Sequence, residues 1–562
     1  TNRSLGVFAI EERATLAVLV ETPGGTRDRT TMVTAAAQKT TPNQSQPHRS
    51  LARSISRGTL FSFIANLVRY GTRLVLVSLF VARLGLDGYG IWATLMVIAG
   101  YLRFGSGAVK ACFQKYVAEA HTKGDFEHAN QLVTTGTAIF FAMSAAVLVP
   151  VAVFPRFLAH LVGIPAQYMS ASATAITLIS IAYLLSNTMG VFEAAVLGVH
   201  RVDLMQYFNV AVMIFDLTFY AVVLGLGYGL GALALGMAIG ELGYALSGLL
   251  LARRVIPQIC LRPRYLTTKV IPELVRFTGS YQLQNIMEMF YVGLVPIVLL
   301  REIGAGAVGV FAICDRLTRF ATMGLEASFV PLLSGSTMIF SLGSPDRMRA
   351  FLSKAFKMSL IATMLPLALA SLFGPAAVLA WTGQTNSFFR LGICLVAVAA
   401  FFRSLAKVGM VLYRSTGGAS MDNAAELLRI LILLLVVILG KQWGFYGALA
   451  GLALAELAGM TFMLEALFRR LGCYSLSQLA GQAAHLFVPV LILILAAEAV
   501  ARAPVFLHAG SRLFLSLRLA IVSLMMLVLA WPVFILTKCF SLDERTQILA
   551  MLLPWRRAAK PA

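Results

Sequence analysis

Leu84-Gly85-Leu86-Asp87-Gly88-Tyr89-Gly90-Ile91-Trp92-Ala93 is echoed later in the chain by Ile303-Gly304-Ala305-Gly306-Ala307-Val308-Gly309-Val310-Phe311-Ala312. Two glycines and the closing alanine stay in register, with aliphatic opposite aliphatic and Phe311 opposite Trp92. Each stretch reads as a short hairpin between two apolar segments. A second echo pairs Gly231-Ala232-Leu233-Ala234 and Glu241-Leu242 with Gly447-Ala448-Leu449-Ala450 and Glu456-Leu457. An internal repeat of this kind is a signature of transporters built from two related helical blocks.

Outward from these hairpins, apolar segments recur along most of the chain. By the length needed to cross a bilayer there are about 14, near 58–82, 89–110, 129–154, 170–197, 205–226, 230–252, 276–300, 306–333, 352–380, 388–413, 424–440, 444–468, 484–501 and 513–537. Of the 562 residues, 59% are hydrophobic and 13% charged. Soluble domains carry about 45–50% and about 25%, so a water-soluble enzyme is excluded. The segments are too long, and alternate too little, for an outer-membrane barrel. The expected fold is an all-α polytopic membrane protein with two parallel six-helix lobes and two C-terminal helices. Its expected divisions are a disordered cytoplasmic tail (1–57), an N-terminal lobe (58–255), a basic cytoplasmic linker (256–272), a C-terminal lobe (273–470), two further helices (471–537) and a cytoplasmic tail (538–562). Because six is even, the lobes are parallel repeats about an axis along the membrane normal, with a substrate site between them. The run Thr15 to Val20 is too short for a signal-peptide core, so no cleaved export signal is expected.

The formal charge is +21, from 46 Lys+Arg against 25 Asp+Glu. Cytoplasmic loops of membrane proteins concentrate Lys and Arg, so topology accounts for much of it and no nucleic-acid partner is expected. With both termini inside, the cytoplasmic side collects about 29 basic residues and the other side about 8. The rest, Arg69, Arg73, Arg103, Arg276, Arg316, Arg319, Arg403, Lys407 and Arg429, fall inside predicted spans. A cation at the bilayer centre costs about 2.5–3.5 kcal/mol even on the lenient insertion scale, so each needs a partner or a wet cavity.

Ser62, Asn66, Arg69 and Arg73 share one helix face. Arg103 lies in the cytoplasmic half of the second span. Arg319 is four residues from Asp315 and positioned to pair with it, leaving Arg316 freer to face a cavity. Arg403, Lys407 and Arg414 descend one face of the tenth span. The diphosphate-binding candidates are Arg69, Arg73, Arg103, Arg316 and Arg403, because guanidinium forks suit phosphate oxygens. Asn66, Gln284, Asn285 and Glu288 are candidates for sugar contacts or a coupling ion. Single carboxylates at Glu193, Asp216, Glu241, Glu326, Glu456 and Glu498 read most simply as counter-ions. The six widely spaced cysteines read as packing residues. No Walker loop, GxGxxG, HExxH or histidine pair at ligand spacing occurs, so no cofactor, metal or catalytic residue is expected.

The segment from Leu84 to Ala93, continuing through Tyr101-Leu102-Arg103-Phe104-Gly105, Lys115-Tyr116-Val117-Ala118-Glu119-Ala120, Lys123-Gly124-Asp125-Phe126 and Asn130-Gln131-Leu132-Val133, resembles the polysaccharide-transporter branch of the multidrug/oligosaccharidyl-lipid/polysaccharide exporter superfamily, the Wzx-like flippases. Segment order and length match over roughly 55–537. Ser106-Gly107 departs from the polar or acidic residue usual after the second helix's glycine, and the N-terminal tail is not a family feature.

The resemblance implies a V-shaped pair of six-helix lobes working by alternating access, similar to the peptidoglycan lipid II flippase with its two extra helices. It implies that Arg69 or Arg73, Arg103 and Arg316 engage a diphosphate. The expected function is non-enzymatic: polyprenyl-diphosphate-linked oligosaccharide moves from the inner to the outer leaflet of the cytoplasmic membrane for O-antigen, exopolysaccharide or capsule synthesis. Membrane lipids, a polysaccharide polymerase and glycosyltransferases are the expected partners. The competing readings are a cation-coupled multidrug exporter of the same superfamily, which favours an acidic cavity, and a membrane polymerase or ligase, which needs an outer acidic motif that Pro155 to Met169 lacks.

Overall fold

The computed structural model describes residues 45–103, 106–199, 201–326, 328–341, 344–416, 420–502, 511–537 and 539–540, with side chains from 71 onward except 73, 106–109, 276–281, 330–331, 334, 420 and 501. Two compact units divide the chain at residue 57, and every described side chain belongs to the second. Among the described residues the regular structure is all helical.

The helices are α1 (Ser45–Leu102), α2 (Ser106–Lys123), α3 (Phe126–Val153), α4 (Pro155–Val162), α5 (Ala166–Gly198), α6 (Val202–Gly225), α7 (Leu230–Val255), α8 (Ile271–Glu302), α9 (Ala305–Glu326), α10 (Phe329–Ser341), α11 (Pro345–Thr382), α12 (Phe388–Arg414), α13 (Ser420–Leu439), α14 (Gly444–Leu471), α15 (Leu476–Ala501) and α16 (Arg512–Leu536). Eleven are long and apolar enough to cross a membrane, so the chain is a multi-pass membrane protein. The other three expected spans are helical too. The first lies within α1, which Gly85 (φ 71°) divides. The eighth and eleventh fall on α9 and α13, which fail on composition because each carries at least three charged side chains.

Two spans end earlier than their hydrophobicity suggests. The second stops at Leu102, and α2 then carries the chain to Lys123 through a stretch expected to be a cytoplasmic connection. Cys112, Phe113, Tyr116, Val117 and Ala120 are buried at helical spacing, and α2 packs on α3 and α5. The eighth span is likewise two helices, α9 and α10. The break after α1 therefore has a counterpart after α9, which extends the repeat beyond its decapeptides.

Gly85 and Gly304 both adopt positive φ, at 71° and 122°, a conformation that costs most side chains dearly. Beyond them α1 and α9 cross almost backbone to backbone. A Cβ on Gly90 would collide with the Ala305 carbonyl oxygen, and one on Gly309 with that of Leu86.

Packing follows chain order. α5 contacts α2, α3, α4, α6 and α7, α12 contacts α9, α10, α11 and α14, and α15 and α16 pack on each other and on α11. One apolar cluster joins the second half of α1 to α5, α8, α9, α12 and α14, and another ties α15 and α16 to α11, α12 and α14. The linker after α7 is pinned to α3: buried Asn130 donates to the Gln258 carbonyl at 2.9 Å and accepts from Cys260 N–H at 3.0 Å, while the Thr135 hydroxyl accepts from Thr267 N–H at 3.0 Å. All six cysteines are free thiols.

Candidate substrate cavity

A cavity of about 480 Å³ opens between residues 93–101 of α1, with Arg103 just beyond its end, and residues 285–293 of α8. On α8 its lining residues Asn285, Glu288, Met289 and Val292 recur at helical spacing, so one face of the helix forms the wall. The opposite wall ends at Arg103. Three residues expected at the site, Arg103, Asn285 and Glu288, thus meet in one cavity.

Among the described residues Arg103 is its only lining cation. Its side chain is about half exposed (51%) and pairs with Glu241 of α7, itself 17% exposed. Tyr183 of α5 lies under the guanidinium at 5.3 Å. Glu241 has a second donor, the Ser186 hydroxyl at 3.2 Å. Glu288 has no cation within pairing distance among the described residues.

Behind this wall Lys110 pairs with Glu193 at 2.6 Å, and Tyr244 donates to the same carboxylate at 3.0 Å. Asp216 of α6 stands apart: its Oδ1 is enclosed and has no hydrogen-bond partner among the described residues.

In the second half of the chain the cations are arranged differently. Arg403 of α12 reaches Glu456 of α14 at 2.5 Å and Asp315 of α9 at 3.7 Å, while Arg319 holds Asp315 from the other side at 2.6 Å. Arg429 of α13 pairs with Glu426 at 2.7 Å and with Glu456 at 3.4 Å. Glu456 is fully buried between its two arginines. Lys407 faces Glu326 at 3.7 Å.

Arg403, expected at the site, does not line this cavity and is held by two carboxylates. Lys407 and Arg429 likewise have carboxylate partners. Gln284 accepts from Arg414 at 3.2 Å, and Arg414 is bound to Asp422 at 2.7 Å; Gln284 is absent from the cavity wall. Arg316 has no carboxylate within pairing distance among the described residues; beside it lies the buried hydroxyl of Tyr89 on α1. Asn66, Arg69, Arg73 and Arg276 lie outside the described side chains. The sequence reading missed Lys110 as a paired residue, because it sits in the stretch assigned to a connection; the helical spacing from Cys112 to Ala120 was the available signal.

No protein-family model matches the chain, and no curated protein sequence matches it. Solved structures do. An inward-facing multidrug resistance MATE family transporter of the MOP superfamily is similar at 11% identity, covering 71% of this chain and 94% of its own, with a TM-score of 0.63. The lipid II flippase MurJ in an inward closed conformation matches at 12% identity over 84% of this chain and 98% of its own, with a TM-score of 0.62. A point mutant of the Vibrio cholerae MATE transporter VcmN matches at 14% identity over 75% and 98%, with a TM-score of 0.54. The fold is the one these MOP-superfamily transporters share.

Proposed function

We propose that this chain is a flippase that moves polyprenyl-diphosphate-linked oligosaccharide from the inner to the outer leaflet of the cytoplasmic membrane, in the service of cell-surface polysaccharide synthesis. Helices α1–α7 and α8–α14 form its two lobes, both termini are cytoplasmic, and α15 and α16 are the additional pair. The observation that carries the reading is the cavity of Arg103, Asn285 and Glu288 between α1 and α8. A guanidinium suits a diphosphate and the neighbouring amide and carboxylate suit sugar hydroxyls. The fold comparison adds support: the lipid II flippase covers 84% of this chain where the MATE transporter covers 71%, a difference of about one helical hairpin. Arg69, Arg73 and Arg316 are the further diphosphate contacts in this reading.

Loading from the cytoplasm and release outside need no nucleotide. An anion leaving an inside-negative cell gains about 2.3 kcal/mol per charge per 100 mV. Proteoliposomes holding the purified protein and a fluorescent diphosphate-linked oligosaccharide test the proposal; translocation without ATP is the expected result, and strict ATP dependence or no translocation overturns it.

A second reading, export of organic cations, draws on Glu288, an unpaired carboxylate in a cavity whose one described cation is matched by Glu241. Transport of a cationic dye, undisturbed by removal of Arg103, would favour it.

A further inference from the structure

We infer that Glu241 is a built-in competitor for Arg103: it holds the guanidinium while the cavity is empty and yields it to the anionic head of the substrate. This rests on the flippase reading. Glu241 belongs to α7 and is not among the residues that line the cavity, whereas Arg103 lines it and its side chain is half exposed. An anion in the cavity therefore approaches a guanidinium that is already bound, and the two carboxylate or phosphate partners compete for the same donors.

The surroundings make the exchange reversible. When Arg103 turns away, Glu241 keeps the Ser186 hydroxyl at 3.2 Å, so the carboxylate is not orphaned. Its other ionisable neighbours are Tyr183 from α5, Asp216 and Tyr220 from α6, and Tyr244 on its own helix. Lys110, the nearby cation, is engaged by Glu193. Without Arg103, Glu241 has no cation partner among the described residues, which draws the guanidinium back and favours release of the substrate. Arg403 and Arg429 show the contrast: each is bridged by two carboxylates, and neither lines the cavity.

The test uses full-length protein in nanodiscs, with geranylgeranyl diphosphate as the binding probe, geranylgeraniol as the neutral control, and flipping of a diphosphate-linked oligosaccharide in proteoliposomes as the turnover readout. Glu241→Gln is expected to bind the diphosphate about tenfold or more tighter, since a charge-assisted competitor is removed, and to turn over more slowly, so that KM and kcat fall together. Ser186→Ala is expected to act in the opposite sense and weaken binding, because Glu241 then has no fallback partner. In Arg103→Ala the Glu241→Gln gain disappears. Binding by the wild type that Glu241→Gln leaves unchanged or weakens overturns the inference alone. Absence of diphosphate binding by the wild type overturns the flippase reading and the inference with it.

Discussion

Gly90 and Gly309 sit in reciprocal contact: the first lies against the Ala305 carbonyl and the second against that of Leu86. Leu86 and Ala305 are themselves matching positions of the two decapeptides, as are Gly90 and Gly309. A contact in which residue i meets the counterpart of j, and j the counterpart of i, is the mark of an isologous two-fold interface. Here both copies of the patch are in one chain.

Side chains at either glycine force the crossing helices apart. Gly90→Ala and Gly309→Ala are each expected to destabilise the protein by about 1–3 kcal/mol, the usual cost of overpacking. Because both act on one contact, the double variant should cost less than the sum. Thermal unfolding in detergent measures this.

Glu456 is the most consequential carboxylate for stability. Replacing it with Ala leaves Arg403 short of its main partner and Arg429 short of one of two, in a site closed to water. Breaking a buried pair costs about 3–5 kcal/mol, so Glu456→Ala is expected to be lost from the monodisperse peak in size-exclusion chromatography. Arg103→Ala, at a half-exposed pair, is expected to keep it.

Arg316→Ala removes a cation with no carboxylate in pairing distance among the described residues, so folding should survive while glycan export collapses. Arg316→Lys is expected to rescue only partly, lacking the planar fork. Complementation of an export-deficient strain, alongside membrane-fraction immunoblots, separates the two effects.

Asn130 fastens the linker through two hydrogen bonds worth about 1–3 kcal/mol together. In Asn130→Ala, trypsin is expected to cut after Arg264 faster than in wild type, and only from the cytoplasmic side.

The same linker tests orientation. A single cysteine at position 262 on a cysteine-free background should resist an impermeant reagent added to intact cells and react after permeabilisation; labelling from outside reverses the topology.

Most of the helices were legible in the sequence because a spanning helix must be long and apolar, and chance rarely supplies that. The breaks after Leu102 and Glu326 were not, since hydrophobicity runs on through Ala108 and Val109 and through Phe329 and Val330. The Asp315–Arg319 pair was readable because both residues lie one turn apart on a single helix. Arg103–Glu241 and Arg403–Glu456 join residues 138 and 53 positions apart, and no local spacing specifies such partners. The sequence therefore marks these carboxylates as counter-ions without specifying which cation each one meets.

The ion network of α9, α12, α13 and α14 has an electrical consequence. Asp315, Glu426 and Glu456 carry three negative charges, and Arg319, Arg403 and Arg429 carry three positive ones. A self-cancelling set that moves as a unit carries no net gating charge through the field, so displacement of these six side chains together is voltage-silent. Any voltage dependence then reports charge moving elsewhere, such as Arg316, Arg103 or a charged substrate.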